Sequence, residues 1–282
     1  SNNGGKGRGG ASTRAATRGS GEPPSDSGTG RRIEGLAPLI LVLATQDARE
    51  SLCAFLTSYH DCRETKLLED LNAFSLTEPD YDRRLDAYGK LASCFLRPDH
   101  EARIFDKFLI YQCCVDLASP NDLSLRHSAA RALGRLLREA GGPPGGPPGG
   151  PPGGPPDAAT LPASGWPSPP LVVSLVKTVL MPEVRLRIAA SASQTVRQEH
   201  VEMVRLAARS LPDVFPELQA VTHQEDDLDF WSNVCHVQLH RRARAFERIR
   251  RVCESAGLHP KLVESYLLVL IEKAVQDDDG KG

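Results

Sequence analysis

One spacing constrains this chain more than any other feature. Four arginines, Arg84, Arg126, Arg197 and Arg242, are each followed at +4, +7 and +11 by apolar residues. The sets are Tyr88, Leu91 and Phe95; Ala130, Leu133 and Leu137; Val201, Val204 and Ala208; and Phe246, Ile249 and Cys253. In a helix those offsets fall on one face. The arginines stand 42, 71 and 45 residues apart, and the 71 becomes 41 once residues 141–170 are set aside. One marked helix per period of this size is the pattern of HEAT and armadillo repeats, where each helix pair buries its face only against its neighbours. The reading is all-α: a HEAT/armadillo-like α-solenoid, with an irregular helical bundle as the competing architecture.

The residues set aside begin GGPPGGPPGGPPGGPP, 141–156, and run on through DAATLPASGWPSPP to Pro170. Repeated Pro-Pro steps forbid helix and the Gly-Gly pairs prevent a stiff rod, so 141–170 reads as a flexible Gly/Pro-rich linker inserted between repeats. Residues 1–32 are rich in Gly, Ser, Thr and Arg and read as a disordered tail. Its GKGRGG stretch also suits an Arg/Gly segment that brushes RNA. Helical repeats then occupy 33–140 and 171–276, and 277–282 reads as a disordered end. Helix starts are marked in TEPDYDRRL, SPNDLSLRHSAARAL and HPKLVESYLLVLI, where a capping residue or proline precedes an apolar periodic run. Deleting the linker is expected to cost little stability, because loop-closure entropy grows slowly with length.

Composition matters mainly for what it removes. A formal net charge of −2 on 282 residues argues for no polyelectrolyte partner, so any basic signal is local. The longest apolar run, LAPLILVLA at 36–44, is less than half the roughly 20 residues a membrane span requires, so no membrane role is expected. Seven cysteines, an odd number without framework spacing, fit reduced and mostly buried thiols inside a cell. The chain begins SNNGG, with no methionine and no signal-peptide pattern, as expected of a fragment of something longer.

Catalytic and metal motifs are sparse. Cys235, His236 and His240 lie in CHVQLH, and the i, i+4 histidine pair has metal-ligand spacing, but no second ligand pair follows and Val237 breaks an HExxH pattern. GGPPGG lacks the Lys-Ser/Thr of a phosphate loop, and neither GxSxG nor GxGxxG occurs in strand context. Cys113 and Cys114, within FLIYQCCVDLA, read as core. The acidic run Glu225, Asp226, Asp227 and Asp229 reads as a solvated cap favoured by a helix dipole. No catalytic residue, metal, cofactor or small-molecule substrate is expected.

The remaining signal is basic. Six arginines occupy the twelve residues from His240 to Arg251. At 100° per residue Arg241, Arg244, Arg248 and Arg251 lie within about 80° of one another, a ridge about 15 Å long, and Leu239, Ala243, Phe246 and Cys253 fall on nearly the opposite side. Such a ridge suits contact with RNA phosphates or with an acidic partner, and equally a solvated face; residue types alone leave these open. Arg242 belongs with Arg84, Arg126 and Arg197 as a repeat-marking, structural residue, expected to pair with a carboxylate of its own or the next repeat.

The stretch DDLDFWSNVCHVQLHRRARAFERI resembles the signature of the Down-Regulated-In-Metastasis family, large nucleolar HEAT-repeat proteins of the small-subunit processome associated with the U-three small nucleolar RNA. The residues that carry it are Phe230, Trp231, Asn233, His236, Gln238, His240, Arg241, Arg242, Arg244 and Ala245. LEDLNAFSLTEPDYDRRLDAY (68–88) and LMPEVRLRIAASASQTVRQEHVEMV (180–204) resemble the repeats that precede this signature, so the likeness covers roughly 65–276. Trp231 stands where a second Phe is more usual, family members are far longer, and the linker and tail look like insertions. The resemblance implies a non-catalytic HEAT-repeat scaffold in the nucleolus of the nucleus, acting in small-subunit (18S) rRNA processing and ribosome biogenesis. Its partners would be pre-ribosomal RNA and small-subunit processome proteins, with no cofactor. The alternatives are a generic HEAT-repeat protein-binding adaptor of the transport or phosphatase-scaffold type, and an unrecognised enzyme.

Overall fold

A computed structural model of the chain describes residues 27–43, 45–75, 78–91, 102–141, 169–255 and 257–279. Its helices are α1 (Ser27–Glu34), α2 (Leu39–Val42), α3 (Gln46–Tyr59), α4 (Arg63–Leu71), α5 (Tyr81–Leu91), α6 (Asp106–Leu117) and α7 (Leu123–Ala140). They continue with α8 (Pro169–Leu175), α9 (Met181–Ala190), α10 (Gln194–Ser210), α11 (Phe230–Asn233), α12 (Leu239–Ser255), α13 (Pro260–Leu262) and α14 (Leu268–Asp279). π turns at Val176–Leu180 and Val263–Leu267 join α8 to α9 and α13 to α14, and 3-10 turns occupy Ala102–Phe105 and Pro216–Val221. Strand pairing among the described residues is confined to Phe74–Ser75 against Glu78–Pro79, antiparallel, in the bend between α4 and α5.

The helices form two layers. In one, α5 packs on α7 and α7 on α10; in the other, α4 packs on α6, α6 on the π turn before α9, and α9 on α14. Chain-consecutive helices cross between layers, α4 with α5, α6 with α7, and α9 with α10. This is the stacked-pair logic of an α-solenoid, each pair covering its neighbour's apolar face. Position in the stack explains composition. Helix α6 lies between neighbours on several sides, and Phe108, Leu109, Ile110, Cys113, Cys114 and Leu117 are all buried, so FLIYQCCVDL carries little polar face. Helices α7 and α10 keep a polar side and begin on side-chain caps: Asp122 accepts from Leu125 N at 3.0 Å and Ser193 from Val196 N at 3.4 Å.

All four repeat-marking arginines are buried. The Arg84 guanidinium crosses from α5 to α6 and reaches Asp116 Oδ1 at 3.0 Å. Tyr88 OH donates to Asp116 Oδ2 at 2.6 Å and Gln112 Nε2 to the same oxygen at 3.2 Å, while Asn72 at the end of α4 donates to Gln112 Oε1 at 3.0 Å. Burial pushes the Asp116 carboxyl above the ordinary range, against the opposing pull of Arg84 and of the Tyr88 and Gln112 hydrogen bonds. One polar chain thus ties α4, α5 and α6 together. Arg126 and Arg197 act differently. Each donates to a main-chain carbonyl of the loop leading into its own helix, Ser119 O at 3.0 Å and Ser191 O at 2.9 Å.

Most of the marked apolar face is buried, including Tyr88, Leu91, Leu133, Leu137, Val201, Val204 and Ala208, with Ala130 partly so. The fourth set departs. Helix α12 packs on α11 and on the turn Pro216–Val221, while α11 takes the place against α10. Phe246 and Ile249 are only half-buried and Cys253 is exposed.

Segment boundaries also shift. Residues 27–32, assigned to the tail, lie in α1; residues 277–279, assigned to a disordered end, lie in α14; and Pro169–Pro170 of the linker begin α8. Gly141 is a packed turn: a Cβ there would stand 2.1 Å from Ser210 O, so the approach of α7 to the end of α10 requires glycine. The rest of the tail (1–26), the linker interior (142–168), Phe95 and residues 280–282 lie outside the described residues. The deletion that costs little should therefore run from 142 to 168.

Two stability outcomes follow from the buried polar groups. Arg84→Ala strands a buried carboxylate and should cost on the order of 3 kcal/mol in urea unfolding, whereas Arg84→Met with Asp116→Leu should recover much of that. His200, buried in α10 with Nδ1 against Val196 O at 2.8 Å, is held down to about 4 by burial. Its ordinary value is 6.5, so as pH falls from 6.5 towards 4 the unfolded chain takes up a proton that the native ring refuses. Stability should drop through that window by about 3 kcal/mol, and His200→Gln should flatten the slope.

Candidate interaction surface

The basic ridge and the signature residues meet at one corner of the stack, built by the segment from Thr222 to Arg251. Asp229, with no exposed surface, caps α11: its carboxylate accepts from Ser232 N at 3.0 Å and from His223 N at 2.8 Å. Asn233 closes the loop. Its amide donates to the carbonyls of Asp226 (2.7 Å) and Asp229 (2.6 Å), and its Oδ1 accepts from Arg241 Nε at 2.8 Å. Phe230 and Trp231 enter the core edge to face, with centroids 5.0 Å apart at 75°. Trp231 meets Tyr266 at 5.7 Å and 82°, and its Nε1 donates to Thr222 Oγ1 at 3.0 Å. A larger indole at this position is thus held by a polar contact that phenylalanine could not make.

His236 turns the chain into α12. Gln238 N donates to its Nδ1 at 3.1 Å and Arg241 Nη1 lies 3.2 Å from its Nε2. Both neighbours are donors, which favours the neutral ring, and desolvation followed by Arg241 and His240 holds its pKa below the ordinary value. Gln238 and His240 are exposed; Gln238 serves through its carbonyl, which accepts from Arg241 N and Arg242 N. The pair His236 and His240 does not converge with other ligands: among the described residues no group of three or more His, Cys, Asp or Glu is placed to hold a metal.

The acidic run is a clasp, a correction to its reading as a solvated cap. Asp226 bridges Arg205 (2.8 Å) and Arg209 (2.9 Å) of α10, and Asp227 reaches Arg241 of α12 at 3.2 Å. The Arg209 hydrogen bond, with the charges of Arg205, Arg209 and Arg241, holds the Asp226 carboxyl below the usual carboxylate range. Arg205 and Arg209 were not singled out in the sequence; their i, i+4 spacing pointed to nothing until the loop folded back on them.

The four-arginine ridge divides. Arg241 is taken up by Asn233 and Asp227, and Arg248 turns inward to Thr222 O at 3.4 Å. Arg244 and Arg251 remain outward, their side chains 54% and 72% exposed, with carboxylate neighbours Asp227 at 3.9 Å and Glu247 at 2.9 Å. Glu247 also holds Arg250, and these two arginines draw its carboxyl down to about 2. The face expected to lie against the core is mostly open: Leu239 is 64% exposed and Ala243 and Cys253 are exposed, while Arg242 and Ala245 are buried. The helix is rotated from the expected setting because its cover comes from α11 and the turn at 216–221 rather than from α10.

Fold and corner together define an all-α stack of helix pairs whose C-terminal corner presents a partly neutralised basic groove. Comparison with known proteins is more particular. The profile of the family described as U3 small nucleolar RNA-associated protein 20, N-terminal, matches residues 24–146. The U3 small nucleolar RNA-associated protein 20 of Schizosaccharomyces pombe is 22% identical over 221 residues, covering 75% of this chain and 8% of the relative. That of Saccharomyces cerevisiae is 29% identical over 110 residues, covering 38% of this chain and 4% of the relative. The chain spans less than a tenth of the length of either relative. The matches carry the link to U3 small nucleolar RNA read from the signature; they do not carry the Down-Regulated-In-Metastasis name.

Asn233→Ala removes both donors and an acceptor from a buried loop and should lower stability by about 2–3 kcal/mol. Arg244→Gln should stay within about 0.5 kcal/mol of the parent, since its ion pair is exposed. Urea midpoints of the two variants, measured side by side, check the division of the ridge into structural and outward members.

Proposed function

We propose that this chain acts as a helical-repeat scaffold in the small-subunit processome associated with U3 small nucleolar RNA, in the nucleolus, during small-subunit rRNA processing. The observation that carries this reading is the likeness to two relatives named for U3 association, one of them extending over 221 residues of the chain. The stack supports it physically: helix pairs that bury one face against neighbours leave long outer surfaces for partners. The function is non-catalytic, with pre-ribosomal RNA and processome proteins as partners. Residues Arg244 and Arg251 are the ridge members placed to meet one of them. Phe230, Trp231, Asn233, His236 and Arg242 build the corner that presents them.

The test is purification of the tagged chain from cells, followed by measurement of co-purifying RNA. U3 small nucleolar RNA and small-subunit precursor RNA should be enriched well above an unrelated small nucleolar RNA. Recovery of proteins with no such enrichment would favour the protein-binding adaptor, and turnover of a substrate by the purified chain would favour an enzyme.

A further inference from the structure

Along the outer side of α12 runs a groove of about 680 Å³, lined by Leu228, Ala243, Arg244, Glu247, Arg251 and Val252 among others. From His240 to Ser255 it follows the helix for about 22 Å, four helical turns. The character of its walls sets what fits. Leu228, at the tip of the acidic loop, is 49% exposed and projects an isobutyl group with no partner across from it. With Ala243 and Val252 it makes an apolar wall. Arg244 and Arg251 stand along the groove, and His240 lies at one end. Their carboxylate neighbours, Asp227 and Glu247, form exposed pairs, which are worth only about 0–1 kcal/mol and are readily exchanged for a partner's carboxylates.

We infer that this groove is a docking site for an acidic amphipathic helix of a partner protein. The partner's apolar stripe lies on Leu228, Ala243 and Val252, and its carboxylates meet Arg244 and Arg251. This is helix-in-groove recognition, read by side chains at i, i+3/i+4 and i+7 of the incoming helix. Single-stranded RNA suits the groove less well. No Phe, Tyr or Trp lines it, so bases have no aromatic ring to stack on. A chain of phosphates would meet Asp227 and Glu247 without covering Leu228. The inference rests on the scaffold reading only for the partner's setting; the site is defined by the groove itself.

The test uses the full chain and two fluorescent probes in anisotropy titrations. One is a synthetic helix of about 16 residues, enough to match the groove, with leucines on one face and glutamates flanking them, beside its scrambled isomer. The other is oligouridylate. The amphipathic helix should bind about tenfold tighter than the scrambled peptide. The double change Arg244→Glu with Arg251→Glu, and separately Leu228→Asp, should each remove about tenfold in affinity. All three positions are exposed, so melting temperatures should not move; should Leu228→Asp disturb the loop, Ala243→Glu blocks the same wall from the helix. Equal binding of the scrambled peptide, or indifference to both Leu228→Asp and Ala243→Glu, would reduce the groove to general charge attraction and overturn the proposal. So would a failure to bind the helix, or tighter binding of oligouridylate lost with the arginine pair. Enrichment of U3 RNA on purification is read separately, so either result stands without the other.

Discussion

The stack depends on guanidinium groups taken out of water at the junctions between helices. A buried arginine costs several kcal/mol unless its donors are met, so each fixes whatever supplies the acceptors. Arg84 finds them on the next helix pair, and Asp116, Tyr88, Gln112 and Asn72 carry the connection from α4 to α6. Arg126 and Arg197 find them in the loops before their own helices, drawing 119–120 and 191 against the first turn. Apolar burial alone would allow a helix to slide or rotate against its neighbour. A five-donor fork with fixed acceptors does not.

The same chemistry, moved outward, shapes the C-terminal corner. Asp226 and Asp227 spend their charge on arginines of α10 and α12, and Asn233 holds the loop that carries them. Most of the arginine-rich helix is therefore engaged in construction. What remains for a partner is Arg244, Arg251 and the apolar side chains that the clasp pushes to the surface, chiefly Leu228. A corner that neutralises much of its own charge recognises by shape and apolar contact as well as by attraction, which is what a selective protein contact requires.

The all-α class and the marking arginines were legible because helix periodicity is local and because an arginine at one repeating offset from apolar residues is rare on a solvated face. Capping at Asp122 and the starts of α7 and α13 were legible for the same local reason. The rotation of α12 was not. Leu239, Ala243, Phe246 and Cys253 form a good apolar stripe, but the side of a helix that is buried depends on which element lies beside it, and α11 took the place next to α10. Equally hidden were Asn72 and Gln112, ordinary polar residues until burial made each the other's partner. Gly141 read as the first residue of a linker because nothing in its neighbourhood shows that Ser210 O would sit against it.

The central claim is that the buried side of each helix builds the stack while the outer side of α12 faces a partner within a U3-associated assembly. Amide hydrogen exchange, compared between the isolated chain and the same chain in the assembly purified from cells, tests it most directly. The account predicts that α6, α7 and α10 are strongly protected in both, and that added protection in the assembly concentrates in 226–255. Unchanged exchange across 226–255, with new protection confined to other segments, would contradict it.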